Sequence, residues 1–171
     1  MGVQYETLKR LQFLSRPGDW AITIDVMDGF HCVSVAPEHR KYFAFRLQGC
    51  ALQHTVLPFG WTGSPHVFCK VMSVLTRLLR NPDFPARLGD MSPAHWMQFR
   101  DALLQRAELD YQSIRTLPFC DDYLFLFSTR AAALIGADQI QRTLDFLGLE
   151  ASPSKCVWEP TQRLIHLGLE I

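Results

Sequence analysis

The sequence lacks the compositional extremes that mark several classes of protein. Lys and Arg number 17 and Asp and Glu number 17, so the formal net charge is zero. Only 10 Gly and 10 Pro occur in 171 residues, without a low-complexity tract or a fixed-period repeat. These shortages exclude a disordered, collagen-like or coiled-coil chain. They also mean that any nucleic-acid contact must depend on a local basic patch rather than on bulk charge.

The five cysteines are few, odd in number and far apart. They are Cys32, Cys50, Cys69, Cys120 and Cys156, and no two form a CxxC pair. This spacing favours reduced thiols in an intracellular protein over a disulfide framework or a zinc site.

A long hydrophobic run is also missing. The longest uncharged stretch lies between Arg46 and Lys70, and it contains Gln, His, Pro and Gly. Such a run cannot span a bilayer, and no signal peptide opens the sequence. We therefore expect a protein of the cytoplasm or nucleus that is not secreted and has no membrane partner.

Apolar residues make up 48% of the chain, and their periodicity predicts alternating helices and strands. Helices are predicted at 4–14, from Ser64 to about 80, from Ser92 and at 131–147. Strands are predicted at 20–26, 32–35, 42–47, 114–120, 123–127, 155–158 and 163–171, with a loop at 81–92. The order of these elements predicts an α+β fold, a split-βαβ sheet with helices on one face.

Three carboxylates stand where apolar strands end. Asp121 and Asp122 separate two apolar runs and are predicted to form the two-residue turn of a hairpin, and Asp25 ends the strand at 20–26. The acidic pair alone is equally typical of a solvated hairpin tip. If the first strand lies beside the hairpin, however, Asp25 and Asp121 face each other, and their oxygens suit Mg²⁺ or Mn²⁺. Two such ions, about 3.5–4 Å apart, would suit phosphoryl transfer.

Several segments resemble the palm motifs of reverse transcriptases. Residues 25–33 (DVMDGFHCV), 57–68 (LPFGWTGSPHVF) and 119–123 (FCDDY) resemble motifs A, B and C. Residues 37–45 resemble the segment after motif A, residues 147–156 resemble motif D, and residues 167–170 resemble the primer-grip motif E. The resemblance covers about residues 4–171 and is closest to retrotransposon enzymes of the gypsy and DIRS types. It implies a ferredoxin-like polymerase palm with part of the fingers over 1–171, with thumb and ribonuclease H domains absent.

The resemblance also implies roles for the acidic residues. Asp25 and Asp121 match the ligands of two catalytic Mg²⁺ or Mn²⁺ ions, aided by the main-chain carbonyl of Val26. Asp122 matches the second carboxylate of motif C, which supports the metals and the primer end. Lys155 matches the motif D lysine that protonates the pyrophosphate leaving group. A surface lysine at the start of a strand is an equally good interpretation of Lys155.

Other positions match the nucleotide-binding parts of the family. The N–H groups of Asp28 and Gly29 match those that contact the triphosphate. Phe30 matches the steric gate that excludes a ribose 2′-hydroxyl, although without the motif we would assign it to the core. Phe59 and Gly60 match the motif B pair beneath the incoming nucleotide.

The sequence departs from the family pattern in two places. Phe119 stands where motif C usually begins with Tyr, and residues 81–113 have no role that we can assign. The segment between Gly29 and Pro82 contains six basic residues and only one acidic residue. That local excess suits a phosphate backbone, although a solvated helix face would also explain Arg77 and Arg80.

These observations predict an RNA- or DNA-templated DNA polymerase domain of a retroelement. Its expected partners are an RNA or DNA template-primer, dNTPs, and the fingers, thumb and ribonuclease H domains of a longer polyprotein. The fragment alone is expected to be weak or inactive. Two alternatives are an RNA-dependent RNA polymerase palm, which Phe30 argues against, and a palm retained as a catalytically silent interaction module.

Overall fold

The computed structural model describes residues 8–80 and 114–170, together with residues 94, 97, 98 and 101. Those four positions are helical, while the rest of the helix predicted from Ser92 and the loop predicted at 81–92 lie outside the described residues. The first residues of the helix predicted at 4–14 lie outside them as well.

The described residues form three α-helices, three 3₁₀ helices and eight strands. The α-helices are α1 (Leu11–Leu14), α2 (Ser64–Arg80) and α3 (Arg130–Leu147). The 3₁₀ helices are Leu8–Arg10, Gly29–Cys32 and Pro37–Phe43. The strands are β1 (Trp20–Asp25), β2 (Ala44–Leu47), β3 (Cys50–Gln53), β4 (Arg115–Phe119), β5 (Asp122–Phe127), β6 (Val157–Thr161), β7 (Ile165–His166) and β8 (Leu169–Glu170).

The central sheet is antiparallel and has the strand order β4-β5-β1-β6. Strand β1 lies between β5 and β6 and is antiparallel to both. Strands β2 and β3 form one separate hairpin, and β7 and β8 form another. Strand β1 is thus an inner strand, and its end is enclosed by neighbours on both sides.

Alternating side chains along the strands divide the core into two layers. On one face of the sheet, Ile22, Ile24 and Phe125 pack with buried residues of α2 and α3. On the other face, Leu124 and Leu126 pack in a smaller cluster with residues of α1. This period of two is the expected pattern for a sheet that is covered on both faces. The prediction of an α+β sheet with its long helices on one face is confirmed.

Local polar contacts define the ends of the long helices. The Ser64 hydroxyl donates to the Pro58 carbonyl at 2.6 Å, and this bond ties the loop before α2 to the start of that helix. The Thr129 side chain accepts from the Ala132 N–H and caps α3, which ends at Gly148 in the left-handed conformation. The predicted start of α2 at Ser64 and end of α3 before Gly148 are confirmed.

Several predicted strands are wrong or displaced. No strand covers 32–35, because the chain there leaves a 3₁₀ helix and enters another that begins at Pro37. Only the last four of the six residues predicted at 42–47 form a strand, β2. Its partner is β3, which the sequence analysis missed. The turn between them has positive φ at Gln48 and Gly49 (51° and 81°), which is typical of a two-residue hairpin turn. The strands predicted at 155–158 and 163–171 correspond to β6 and to the β7–β8 hairpin.

Candidate active site

The register of β1 against β5 brings the acidic residues together. Asp25 is the partner of Asp122 in the antiparallel ladder. One residue further, the Val26 N–H donates to the Asp121 carbonyl at 2.9 Å. The end of β1 therefore lies directly beside the β4–β5 turn, although these residues are distant in sequence.

The predicted turn residues are wrong by one position. Phe119 pairs with Asp122, so the turn is Cys120–Asp121, and Asp122 already belongs to β5. In this register Pro118 pairs with Tyr123 at a position of the ladder where the two residues exchange no hydrogen bonds. If the turn were one residue later, residue 118 would have to donate a backbone hydrogen bond, and proline has no N–H. The sequence analysis expected Asp25 to face Asp121. In the structure the in-register partner of Asp25 is Asp122 instead.

The three carboxylates influence one another electrostatically. Burial, together with the charges of Asp121 and Asp25, raises the pKa of Asp122 to about 6. A hydrogen bond with the Asp25 side chain also favours the protonated form of Asp122. This part of the molecule therefore concentrates more negative charge than its surroundings neutralise.

Lys155 supplies the cation nearest to Asp25. Its Nζ lies 3.1 Å from Oδ2 and 3.3 Å from Oδ1 of Asp25. This hydrogen bond raises the pKa of Lys155, whose side chain is otherwise exposed. Lys155 is therefore a surface lysine whose ammonium also contacts a predicted site carboxylate, and its catalytic role stays a prediction.

Cys156 holds the backbone of Asp25 and was missed from the sequence. The Asp25 N–H donates to Sγ of Cys156 at 3.2 Å, and Sγ in turn donates to the Asp25 carbonyl at 3.6 Å. The Ser152 N–H donates to the same carbonyl at 2.8 Å. No local pattern could have indicated these contacts, because they join β1 to a loop more than a hundred residues later.

The turn after β1 lies against Asp121. Asp28 and Gly29 have positive φ, 62° and 44°, and the His31 N–H donates to the Asp28 carbonyl at 2.8 Å. A Cβ atom at Gly29 would lie 3.5 Å from Oδ2 of Asp121. The structure therefore places the two predicted triphosphate-contacting residues next to a predicted metal ligand.

The predicted nucleotide-facing residues form an aromatic group. The Phe30 ring lies 5.2 Å from that of Phe59 and 5.4 Å from that of the fully buried Phe68, measured between centroids. Phe59 is 68% exposed, and Gly60 follows it with φ 87°. Phe30 thus contacts the core on one side and an exposed ring on the other, so packing and gating are compatible roles.

Trp61 is a further member of this region that the sequence analysis did not single out. Its ring lies 5.0 Å from the Phe43 ring. A Cβ atom at Gly63 would come within 2.4 Å of the indole, so the loop before α2 requires glycine there. The Gly-Trp-Thr-Gly pattern was the signal that could have indicated this packing.

The oxygen atoms of these carboxylates are of the chemical kind that binds divalent metal ions, but the described side chains are not arranged as a metal site. Within the described residues, no group of three or more His, Cys, Asp or Glu side chains is placed to hold an ion. Carboxylate and carbonyl oxygens are nevertheless the ligands that Mg²⁺ and Mn²⁺ prefer. Neighbouring negative charges contribute to the raised pKa of Asp122, and Asp25 pairs with Lys155, so these carboxylates are the candidate ligands for such an ion.

Comparisons with known proteins show which family this chain resembles. The family model for reverse transcriptase (RNA-dependent DNA polymerase) matches residues 4–84. The Gag-Pol polyprotein of avian reticuloendotheliosis virus is 29% identical over 161 residues, which cover 89% of this chain and 11% of that protein. Over residues 4–84 the chain is similar to reverse transcriptases. The predicted gypsy or DIRS subtype is not tested by these matches and stays a prediction.

Solved structures of reverse transcriptases have the same fold as this chain. A foamy viral protease-reverse transcriptase in complex with double-stranded DNA has a TM-score of 0.69 and 20% identity over 100% of this chain and 24% of that chain. Another in complex with an RNA/DNA hybrid has a TM-score of 0.66 and covers 19% of that chain. The predicted palm fold is confirmed, and the domain spans a quarter or less of these relatives.

No helix among the described residues of the domain combines the length and the apolar character that crossing a bilayer requires.

Proposed function

We propose that this domain is the catalytic palm of a DNA polymerase that copies RNA or DNA by adding dNTPs to a primer 3′-hydroxyl. The observation that carries the proposal is the pairing of Asp25 with Asp122, with Asp121 in the adjoining turn. Asp25, Asp121 and the Val26 carbonyl would hold two Mg²⁺ or Mn²⁺ ions, with Asp122 in support. When bound, such ions lower the pKa of the 3′-hydroxyl and neutralise charge on the triphosphate.

The turn after β1 is suited to the triphosphate. Asp28 and Gly29 form a turn with positive φ angles, and main-chain N–H groups in a turn can accept an anion. The short separation between the Gly29 backbone and the Asp121 carboxylate supports a triphosphate beside the proposed metal ligands. Phe30 would then exclude a ribose 2′-hydroxyl, and Phe59 and Gly60 would lie beneath the nucleotide.

Lys155 has two tasks in this proposal. Its ammonium contacts the Asp25 carboxylate and so stabilises a buried charge. A divalent ion on Asp25 would take over that task, which would leave Lys155 free to give a proton to the pyrophosphate leaving group.

The proposed partners are an RNA or DNA template-primer and the remaining domains of a polyprotein. The solved relatives were captured with double-stranded DNA and with an RNA/DNA hybrid, and the similar Gag-Pol protein is far longer than this chain.

Not every basic residue of the domain is available to bind phosphate groups of a nucleic acid. Arg80 donates to the Thr116 carbonyl and Arg40 to the Val35 carbonyl, so the structure uses both to anchor neighbouring segments.

The substitution Asp121→Asn tests the proposal. We expect primer extension with dNTPs to fall by at least about a hundredfold, because the variant loses an anionic metal ligand but keeps the turn. Asp138→Asn is the matched control, since Asp138 is exposed on α3 and pairs with Arg142. Circular dichroism checks the fold of both variants.

Electron paramagnetic resonance of Mn²⁺ in the same samples separates the alternatives. We expect wild type to bind Mn²⁺ and Asp121→Asn to bind it at least about tenfold more weakly. Undiminished extension by Asp121→Asn would remove that residue from the site. A wild-type protein that neither extends a primer nor binds Mn²⁺ would be a silent module, and preference for rNTPs would indicate an RNA polymerase.

A further inference from the structure

The acidic end of β5 is bonded to α2 through a buried tyrosine. Tyr123 follows Asp122 directly and is fully buried. Its hydroxyl donates to the Met72 carbonyl of α2 at 3.2 Å and lies 3.4 Å from the Thr76 hydroxyl. The Thr76 hydroxyl donates to the same carbonyl at 3.2 Å. Three polar groups from two elements therefore meet beneath the strand that carries Asp122.

The phenol of Tyr123 stands in apolar surroundings. Its neighbours in the ladder are Ile24 and Pro118, and its ring stacks on that of Phe125 with 5.9 Å between centroids. Burial of a hydroxyl costs free energy that its hydrogen bonds offset. Those bonds also fix a distance and an angle, which apolar packing alone does not. The phenol therefore holds β5 at one defined place on α2.

Strand geometry decides how Tyr123 influences the proposed site. Successive side chains of a strand point to opposite faces of the sheet, so Tyr123 faces α2 and Asp122 faces away from that helix. Tyr123 thus acts on the neighbouring carboxylates through the backbone. The same stretch of backbone includes the Asp121 carbonyl, which accepts from the Val26 N–H at the end of β1. A shift of β5 on α2 would therefore move Asp121 relative to β1.

Helix α2 is a firm support for this contact. Its Phe68 is fully buried, and the ring lies 5.4 Å from that of Phe30, the proposed gate. Its last residue, Arg80, donates to the Thr116 carbonyl of β4 at 2.6 Å. One helix thus contacts the nucleotide side of the proposed site and both strands of the acidic hairpin.

We propose that Tyr123 and Thr76 are positioning residues, whose hydroxyls hold the end of β5 on α2 and so keep the carboxylates of Asp121 and Asp122 beside Asp25 for metal binding. The effect on metal binding and catalysis rests on the proposed function, whereas the placement of the turn does not. Tyr123→Phe and Thr76→Val each remove one hydroxyl and keep the shape of the side chain. The loss of a neutral hydrogen bond predicts effects of about three- to tenfold.

Amide hydrogen exchange tests the placement of the turn without metal or nucleotide. The Val26 N–H, which donates to the Asp121 carbonyl, exchanges when the turn separates from β1. We expect Tyr123→Phe and Thr76→Val to speed that exchange about three- to tenfold beyond what the change in unfolding free energy accounts for. Thr76→Ser keeps a hydroxyl and must restore the wild-type rate. Unchanged exchange in Tyr123→Phe would overturn the inference.

The matched control lies on the other long helix. Thr143 is buried on α3, and its hydroxyl donates to the Gln139 carbonyl as that of Thr76 does to Met72 on α2. We expect Thr143→Val to lower the free energy of unfolding, measured by urea denaturation, but to leave Val26 exchange unaffected beyond that loss. Equal acceleration in Thr143→Val would mean that any lost helix hydroxyl loosens the turn, which would remove the special role of Thr76.

Metal binding and primer extension test the consequence. We expect Tyr123→Phe and Thr76→Val each to lower kcat and the Mn²⁺ affinity, measured by electron paramagnetic resonance, about three- to tenfold. The double variant should lose no more than either single variant, because both hydroxyls belong to one junction. Faster Val26 exchange with undiminished Mn²⁺ affinity would refute an effect on the carboxylates. If wild type neither binds Mn²⁺ nor extends a primer, the proposed function fails, while Val26 exchange still decides whether these hydroxyls hold the turn.

Discussion

Asp25 is held at three points before any ligand binds. Its carboxylate pairs with Lys155, its N–H donates to Cys156, and its carbonyl accepts from Ser152. A buried carboxylate without partners costs several kcal/mol, and Asp25 is only 7% exposed. These contacts offset that cost and keep the side chain oriented toward β5, which is the arrangement a metal ligand needs.

The substitution Phe30→Ala tests whether Phe30 excludes nucleotides that carry a ribose 2′-hydroxyl. Removal of the ring opens space where a ribose 2′-hydroxyl would lie, so we expect selectivity for dNTPs over rNTPs to fall by at least about tenfold, or about 1.4 kcal/mol. Competitive primer extension with both nucleotides measures it. Phe45→Ala, an exposed ring on β2, is the control. Unchanged selectivity in Phe30→Ala would leave Phe30 with a packing role only.

Asp122 makes stability depend on pH in a direction opposite to most carboxylates. Its pKa rises from 3.8 to about 6 on folding, so the folded state binds the proton more tightly. The free energy of unfolding therefore falls as pH rises from about 4 to about 6. Urea denaturation in EDTA should show a smaller fall in Asp122→Asn, whereas exposed Glu38→Gln should behave like wild type. Parallel curves for wild type and Asp122→Asn would contradict the raised pKa.

Helix α3 is held against the sheet by close approach as well as by apolar burial. A Cβ atom at Gly136 would come within 2.2 Å of the Phe127 ring, so glycine lets the helix and β5 come into contact. Ile140 and Leu144 on the same helix are fully buried. This close packing is at Phe127, the end of β5 opposite to Asp122.

Two isoleucines of α3 offer a matched test. Ile140 is fully buried and Ile135 is 54% exposed. We expect Ile140→Ala to lower the free energy of unfolding by about 2–5 kcal/mol, because it leaves a cavity, and Ile135→Ala to change it by about 0.5 kcal/mol or less. Urea denaturation measures both. Similar losses for the two variants would mean that α3 does not pack as described.

At the scale of the whole molecule, Arg115 joins the chain before β1 to the edge of the sheet. Its guanidinium donates to both carboxylate oxygens of Asp19, each at 2.6 Å, and to the Leu14 carbonyl at 2.7 Å. Burial raises the pKa of Asp19, but the hydrogen bonds from Arg115 and from the Arg16 N–H outweigh it, so the pKa is lowered overall. This clamp keeps α1 over the second core layer.

Arg115→Met should cost about 1.5–3 kcal/mol at neutral pH, since hydrogen bonds to a charged partner are lost. Because the pKa of Asp19 is lowered in the folded state, the stabilisation is present above about pH 4 and disappears as pH falls through the folded pKa. Urea denaturation of both proteins across this range measures it. Arg142→Met, which breaks an exposed pair on α3, should cost about 0.5 kcal/mol or less. A pH-independent difference between wild type and Arg115→Met would rule out the ion pair as its cause.

Local patterns in the sequence predict the long elements well and the short ones poorly. The helix start at Ser64 and the end at Gly148 depend on caps and apolar periodicity within a few residues. Strand β3 and the turn at Cys120 depend on pairing, which no window of sequence contains. The turn residues were wrong by one position because the inability of Pro118 to donate a hydrogen bond matters only once its partner strand is known.

The sequence by itself determined which residues carry charge at the ends of apolar strands, and the order of the motifs determined the family they resemble. Only the tertiary structure decided that Asp25 pairs with Asp122 and that Lys155 and Cys156 hold Asp25. Those contacts join segments far apart in the chain. Their geometry follows from strand register and from helix packing on the sheet, which are properties of the folded core rather than of any local stretch of residues.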